Sequence, residues 1–193
     1  WRNQKVHGGG MVLDWGIHIL DQALMMTLPR KIVSVHAQFT NVTNTDCDDG
    51  FHAVLTFDDG LTFLAEVGTS NFIVLPRWYM LGENGSAVIQ DWSCKGEIVK
   101  VSDLENRDAV PIQAGAGLTK TMAPRTDETI QKYPLPEVKA DWGEYYTNVV
   151  AAIRGETAPL VTHDQQRRLM RIIAAIFDSG TRNEVVKFGK AGV

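Results

Sequence analysis

Asp14 and His18 stand four residues apart, inside a stretch whose apolar residues repeat at helical spacing. That spacing puts a carboxylate and an imidazole on one helical face, with Asp21 a turn further along. The apolar stripe of Leu13, Ile17, Leu20 and Leu24 lies about 100° around the same helix, since each residue advances by that angle. The polar pair therefore sits at the edge of a core, partly desolvated. An imidazole beside a carboxylate is the arrangement a general acid or base needs. By spacing alone such a pair is more often structural than catalytic. The preceding Gly8-Gly9-Gly10 leaves room for close backbone approach by a ligand. It does not form GxGxxG and no strand precedes it, so it is not a dinucleotide-binding fingerprint. His7, Asp14 and His18 have only generic spacing for a metal, and none is expected.

The elements that must position this pair follow from periodicity. The helix carrying it runs to a stop at Pro29. Residues 33–40, 51–57 and 61–67 alternate apolar and polar side chains, the period of half-buried strands. Asp58-Asp59-Gly60 is a hairpin turn between the last two. Residues 77–82 and 86–91 form a second pair around Glu83-Asn84-Gly85, and residues 97–102 add another strand. Pro111, Gly115, Gly117, Pro124, Pro134 and Pro136 break any pattern over 103–139, which reads as a solvated loop or a flap over a site. A helix follows with Trp142, Tyr145, Tyr146, Val149 and Ile153 on one face, expected to be core, and Gly155 at its end. The last helix starts with a Thr162/Gln165 capping box, turns Leu169, Ile172, Ile173 and Ile176 inward, and is expected to end at Gly180. Residues 184–188 return as a strand. Helix, short-linked strands and two helices make an α+β chain: an open-faced, mainly antiparallel sheet with helices packed on one face.

Composition bounds the function. The 193 residues, 44% hydrophobic and 22% charged, are enough for a substantial core, and 1–193 is read as one substrate-binding domain. Nineteen basic against 23 acidic residues give a net charge of −4, which offers nothing to nucleic acid or to an anionic membrane. No apolar run approaches the roughly 18 residues of a membrane span. Cys47 and Cys94, outside any CxxC pattern, fit unpaired thiols in a reducing cytosol, hence a cytoplasmic protein. The chain opens on Trp1 rather than methionine and reads as part of a longer protein.

Gly8-Gly9-Gly10 with Asp14, Gly16, His18 and Asp21 resembles the GGGxxxDxGxHxxD motif of the glucose–fructose oxidoreductase and inositol dehydrogenase family, often written Gfo/Idh/MocA. Further along, Gly82-Glu83-Asn84-Gly85-Ser86-Ala87-Val88-Ile89 is similar to the family's G-x-x-G-x-x-x-I hairpin. Ala175 to Gly180 resembles its closing helix, and Val186 to Phe188 its V-x-F strand. The resemblance implies an open-faced α+β second domain that works with a Rossmann domain binding NAD or NADP. It implies a sugar, inositol or polyol substrate oxidised at a secondary alcohol. His18 would then shuttle the proton of the reacting hydroxyl, Asp14 would hold the substrate and orient the proton-transfer system, and Asp21 would complete the substrate site. Neither a Rossmann half nor the family's Glu-Lys-Pro is present, so residues 1–193 alone are expected to be inactive, with cofactor-binding residues elsewhere.

The resemblance also implies a homo-oligomer, dimer or tetramer, associating through the sheet face that carries His52, Val54, Thr56, Thr62, Leu64 and Glu66. A non-catalytic oligomerisation or ligand-binding module, and an NAD-dependent glycoside hydrolase of the same family, are the competing readings. Arg77 and Lys120 are candidates to meet a substrate carboxylate or phosphate, although surface charge is the safer reading for both, and Trp15 either lines the pocket or packs under the sheet.

Overall fold

The computed structural model describes residues 1–105, 111–119, 125–189 and 192–193. In chain order it contains a 3₁₀ turn at Lys5–His7, a π-helical turn at Val12–Gly16, α1 (Ile17–Met26), β1 (Ile32–Thr40), β2 (Gly50–Phe57) and β3 (Thr62–Gly68). Then come β4 (Trp78–Gly82), β5 (Gly85–Ile89), β6 (Gly96–Val101), β7 (Ile112–Ala114), β8 (Gly117–Thr119) and β9 (Ile130–Pro134). The chain closes with α2 (Trp142–Ile153), α3 (His163–Arg182) and β10 (Val186–Lys187). These residues form two compact units, Trp1–Phe72 with Asp141–Val193, and Ile73–Ala140. The fold class is α+β with antiparallel sheets, as the periodicity predicts.

In the first unit the sheet order is β10-β1-β2-β3, every neighbour antiparallel. Alternation sends Val35, Ala37, Ala53, Leu55 and Ala65 to one face, where Leu20 and Leu24 of α1 and Leu169, Ile172, Ile173 and Ile176 of α3 close the core. The opposite face carries the rungs His36–Val54–Leu64 and Gln38–His52–Glu66. There His52 Nε2 lies 3.1 Å from Glu66 Oε1. β10 covers only Ser34 and Val35 of β1. Beyond it the Ala37 amide donates to the hydroxyl of Ser179 on α3 at 2.8 Å, and that hydroxyl donates to the Glu184 carbonyl at 2.5 Å. Ser179 is fully buried and both its roles are used.

Helix ends divide into confirmed and corrected expectations. The capping box is present in full: the Thr162 hydroxyl accepts the Gln165 amide while the Gln165 side chain accepts the Thr162 amide. Gly155 follows α2 with φ +74°, the left-handed stop expected of it. Gly180, by contrast, does not end α3, which continues to Arg182 and is capped by Asn183 at φ 54°. Its reason is steric, because a Cβ there would come within 2.5 Å of the Phe39 ring. The helix carrying Asp14 is also not regular from its start. It begins as the π turn and becomes α-helical only at Ile17, ending at Met26.

The aromatic stripe of α2 departs furthest from expectation. None of its residues is buried, and Trp142 and Ile153 are 84% and 81% exposed. Helical periodicity records which side chains want cover, and no described element of the first unit supplies it.

The second unit has the sheet β4-β5-β6-β9 and the small β7-β8 hairpin. The 103–139 segment is therefore more than a loop or flap. Ile130–Pro134 pairs with β6 from Glu97↔Pro134 to Val101↔Ile130. A five-residue edge strand ending in proline shows too little alternation to stand out in sequence, and proline is tolerated at an edge. Lys120 and Pro124 lie outside the described residues. Among the described residues no helix is long and apolar enough to cross a membrane.

Candidate active site

The glycine loop folds back on its own chain. A Cβ on Gly9 would meet the Arg2 carbonyl at 2.5 Å and the Gln4 amide at 2.7 Å. Gly10 has φ +114°, and a Cβ there would lie 2.3 Å from Asp48 Oδ1. Gly16 is filled from below: its Cβ would come within 2.9 Å of the Phe51 ring, which is fully buried on β2. The glycines of the motif are thus required by the chain's own backbone, by Asp48 and by Phe51. The close approach anticipated for a ligand is made by the protein itself. A loop closed in this way has no open amide cradle for a pyrophosphate, so the chain's residues do not fit a dinucleotide at this position.

The loop delivers the π turn and then α1. Met11 offers no side-chain cap. The Met11 amide donates to the Asp48 carbonyl at 3.1 Å and the Val12 amide to Asp48 Oδ2 at 2.9 Å, so the first free donors of the turn are satisfied from 36 residues away. The Asp14 amide donates to the Gly10 carbonyl at 3.0 Å. Asp14 itself is half-buried and points its carboxylate at Arg2, with Oδ2 3.6 Å from Nε. His18, in the first turn of α1, and Asp21 are both exposed. Among the described residues no hydrogen bond joins Asp14 to His18. The structure keeps the two on consecutive turns and leaves the imidazole open to an incoming ligand.

Two aspartates behind the loop are buried and oppositely tuned. Burial pushes the Asp48 carboxyl up, against the pull of the Val12 amide, and the neighbouring Asp49 charge raises it further. Asp49 is held down to about 2, chiefly by the Thr43 amide, with the Asn44 amide and the Thr43 hydroxyl also donating to it. Both line a cavity of about 480 Å³ with Trp1, Arg2, Asn3, Met11, Thr43, Asn44 and Thr69. Much of that lining is consumed internally. The Thr69 hydroxyl donates to the Asp49 carbonyl at 2.7 Å, and the Asn44 amide group donates to the Asn3 carbonyl at 3.1 Å. Arg2, Asp48 and Asp49 are absent from the sequence expectations. Arg2 lies twelve residues from Asp14 and Asp48 lies 36 from Val12, with no periodicity linking them; the one visible signal is a pair of adjacent aspartates just before a strand.

Other expected contributors lie elsewhere. Arg77, in the second unit, stacks its guanidinium 4.1 Å over the Trp92 ring and donates to Cys94 Sγ at 3.5 Å. Trp15 is partly exposed, one residue beyond Asp14. Among the described residues no group of three or more His, Cys, Asp or Glu side chains is arranged to hold a metal ion.

Residues 1–88 match the GFO/IDH/MocA C-terminal domain model. The chain is 24% identical to scyllo-inositol 2-dehydrogenase (NADP(+)) IolW of Bacillus subtilis (strain 168), over 96% of this chain and 51% of that protein. The solved structure of an NAD-binding protein from Listeria innocua superposes with a TM-score of 0.87 at 41% identity, over 97% of this chain and 54% of that one. The fold is shared with the WlbA dehydrogenase from Bordetella pertussis, solved in complex with NADH and UDP-GlcNAcA, at a TM-score of 0.58 and 18% identity over 94% of this chain and 46% of that one. The chain spans about half the length of these relatives. The chain thus resembles the C-terminal domain of the Gfo/Idh/MocA oxidoreductases and has the fold of that domain.

Proposed function

We propose that residues 1–193 act as one domain, the substrate-binding half of an NAD(P)-dependent oxidoreductase that oxidises a secondary alcohol of a sugar, inositol or related polyol. The observation that carries this reading is the pair Asp14 and His18 on consecutive turns, one half-buried with Arg2 3.6 Å away, the other exposed. Its support from outside the chain is the likeness to an NADP-linked inositol dehydrogenase and to an NAD-binding protein.

NAD or NADP supplies the redox chemistry when bound, and the glycine loop, closed on itself, does not cradle it. His18 takes the proton of the reacting hydroxyl. Asp14, fixed by Arg2 at its other side, accepts a hydrogen bond from a substrate hydroxyl and sets the direction from which His18 is approached. Asp21, exposed a turn further on, contacts the far end of the polyol. In the intact oxidoreductase, polyol-dependent NAD(P) reduction falls by about 10²–10⁴-fold in His18→Ala. A rate equal to that of the unaltered protein removes His18 from proton transfer.

A second reading rests on the open face of the β10-β1-β2-β3 sheet, where Val54 and Leu64 stand exposed on one rung. This face makes a homo-oligomeric contact, and the domain is then also an assembly platform. Light scattering on Leu64→Glu reads it: a lower mass supports the contact, and an unchanged mass removes it.

A further inference from the structure

We propose that Asp48 is a positioning residue for the Asp14–His18 site, acting through the backbone of residues 10–12 and not on substrate. The proposal rests on the functional reading above and names the group that holds its geometry. A π turn carries one more residue per hydrogen-bonded ring than an α-helix and occurs as short insertions, often beside functional sites. The Met11 and Val12 amides at its entry have no partner inside the turn, so what meets them from outside fixes where the segment carrying Asp14 starts.

Asp48 meets that need from three directions. Its carboxylate accepts the Val12 amide, its carbonyl accepts the Met11 amide, and its second carboxylate oxygen rests against Gly10, where no other residue fits. The brace is anchored at its own end. The Asp49 amide donates to the Thr40 carbonyl at 3.0 Å, and the Asn41 side chain donates to the Cys47 carbonyl at 2.9 Å, tying the loop to β1 just before β2 begins. Asp14 follows only two residues after the braced Val12. Asp48 is 7% exposed, with one oxygen on Val12 and the other packed on Gly10, so it is not a substrate ligand.

The test uses the intact oxidoreductase with Asp48→Asn and Asp48→Ala. Asparagine keeps an acceptor oxygen for the Val12 amide, and alanine removes it. The expected result is a kcat within about threefold of the parent for D48N and about 100-fold lower for D48A, with KM moving far less, because a misplacement of about 1 Å carries that penalty. Equal losses in the two variants would mean that the charge, and not the acceptor, is at work, and would overturn the proposal. So would a D48A protein that melts lower but turns over normally.

Amide hydrogen exchange at Val12 and Asp14 gives a readout independent of turnover: about tenfold faster in D48A and unchanged in D48N, the scale of a lost helix cap. If the parent shows no polyol-dependent NAD(P) reduction, the functional reading fails while the exchange rates still decide the brace. Unchanged exchange in D48A overturns the brace by itself. Should D48A not fold, Gly10→Ala displaces the same carboxylate from the opposite side and is expected to accelerate exchange likewise; unaltered exchange there counts against the brace.

Discussion

The sheet β10-β1-β2-β3 and the sheet β4-β5-β6-β9 have the same number of strands and the same antiparallel pairing, yet only the first contains fully buried side chains. Phe51, Leu55 and Val35 of the first are sealed by α1 and α3, whereas no described residue between 73 and 140 is buried. Both sheets are fully paired, so strand pairing alone does not make a core. A sheet face becomes a core when a second layer arrives, and in this chain the helices that supply it all belong to the first unit. The candidate site residues Asp14 and His18, with Arg2 and Asp48, belong to the unit with the packed layer.

The largest way to test that contrast is a pair of truncations. Phe51→Ala removes a fully buried ring that also supports Gly16, and a cost of about 3–5 kcal/mol is expected. Val88→Ala, on the half-buried strand β5, should cost under about 1 kcal/mol. Urea denaturation of both variants reads the difference; equal costs would mean that the second sheet is packed as firmly as the first.

A smaller effect comes from adding volume to the packed layer. Gly180→Ala forces a methyl group against the Phe39 ring and should lower stability by about 1–3 kcal/mol, although alanine is the better helix former. A thermal melt showing Gly180→Ala more stable than the parent would mean that the α3–β1 contact yields easily.

The smallest effect is acid titration of the loop before β2. Asp49 sits at about 2 in the folded chain against an ordinary 3.8, so its contribution is complete above pH 4 and is lost as pH falls toward 2. Asp49→Asn should flatten the fall in melting temperature between pH 4 and 2. An identical slope in the variant would show that the Thr43 and Asn44 donors do not act through the Asp49 charge.

What the sequence disclosed tracks the distance over which each contact acts. The Thr162/Gln165 capping box and the Asp58–Gly60 turn involve residues three or fewer positions apart, and both are where the residue types put them. Asp14 and His18 are legible for the same reason. Gly180 was misread because its partner, Phe39, is 141 residues away, and a glycine near a helix end has two explanations that only packing separates. The entry to the π turn is met by Asp48, 36 residues beyond Val12, and no local pattern announces it. The α2 stripe showed a real amphipathic face but not whether anything described covers it, because periodicity encodes an appetite for burial and not its partner.

The Ser179 hydroxyl, caught between Ala37 and Glu184, has a consequence for how the protein stays separate from its neighbours. β1 would otherwise present a bare strand edge past the two residues that β10 covers, and an open edge invites a strand from another molecule. One buried hydroxyl closes that edge from the helix side. At Ala37 the edge of β1 is thus closed to strand addition by a side chain that its position alone would mark as an ordinary helix serine.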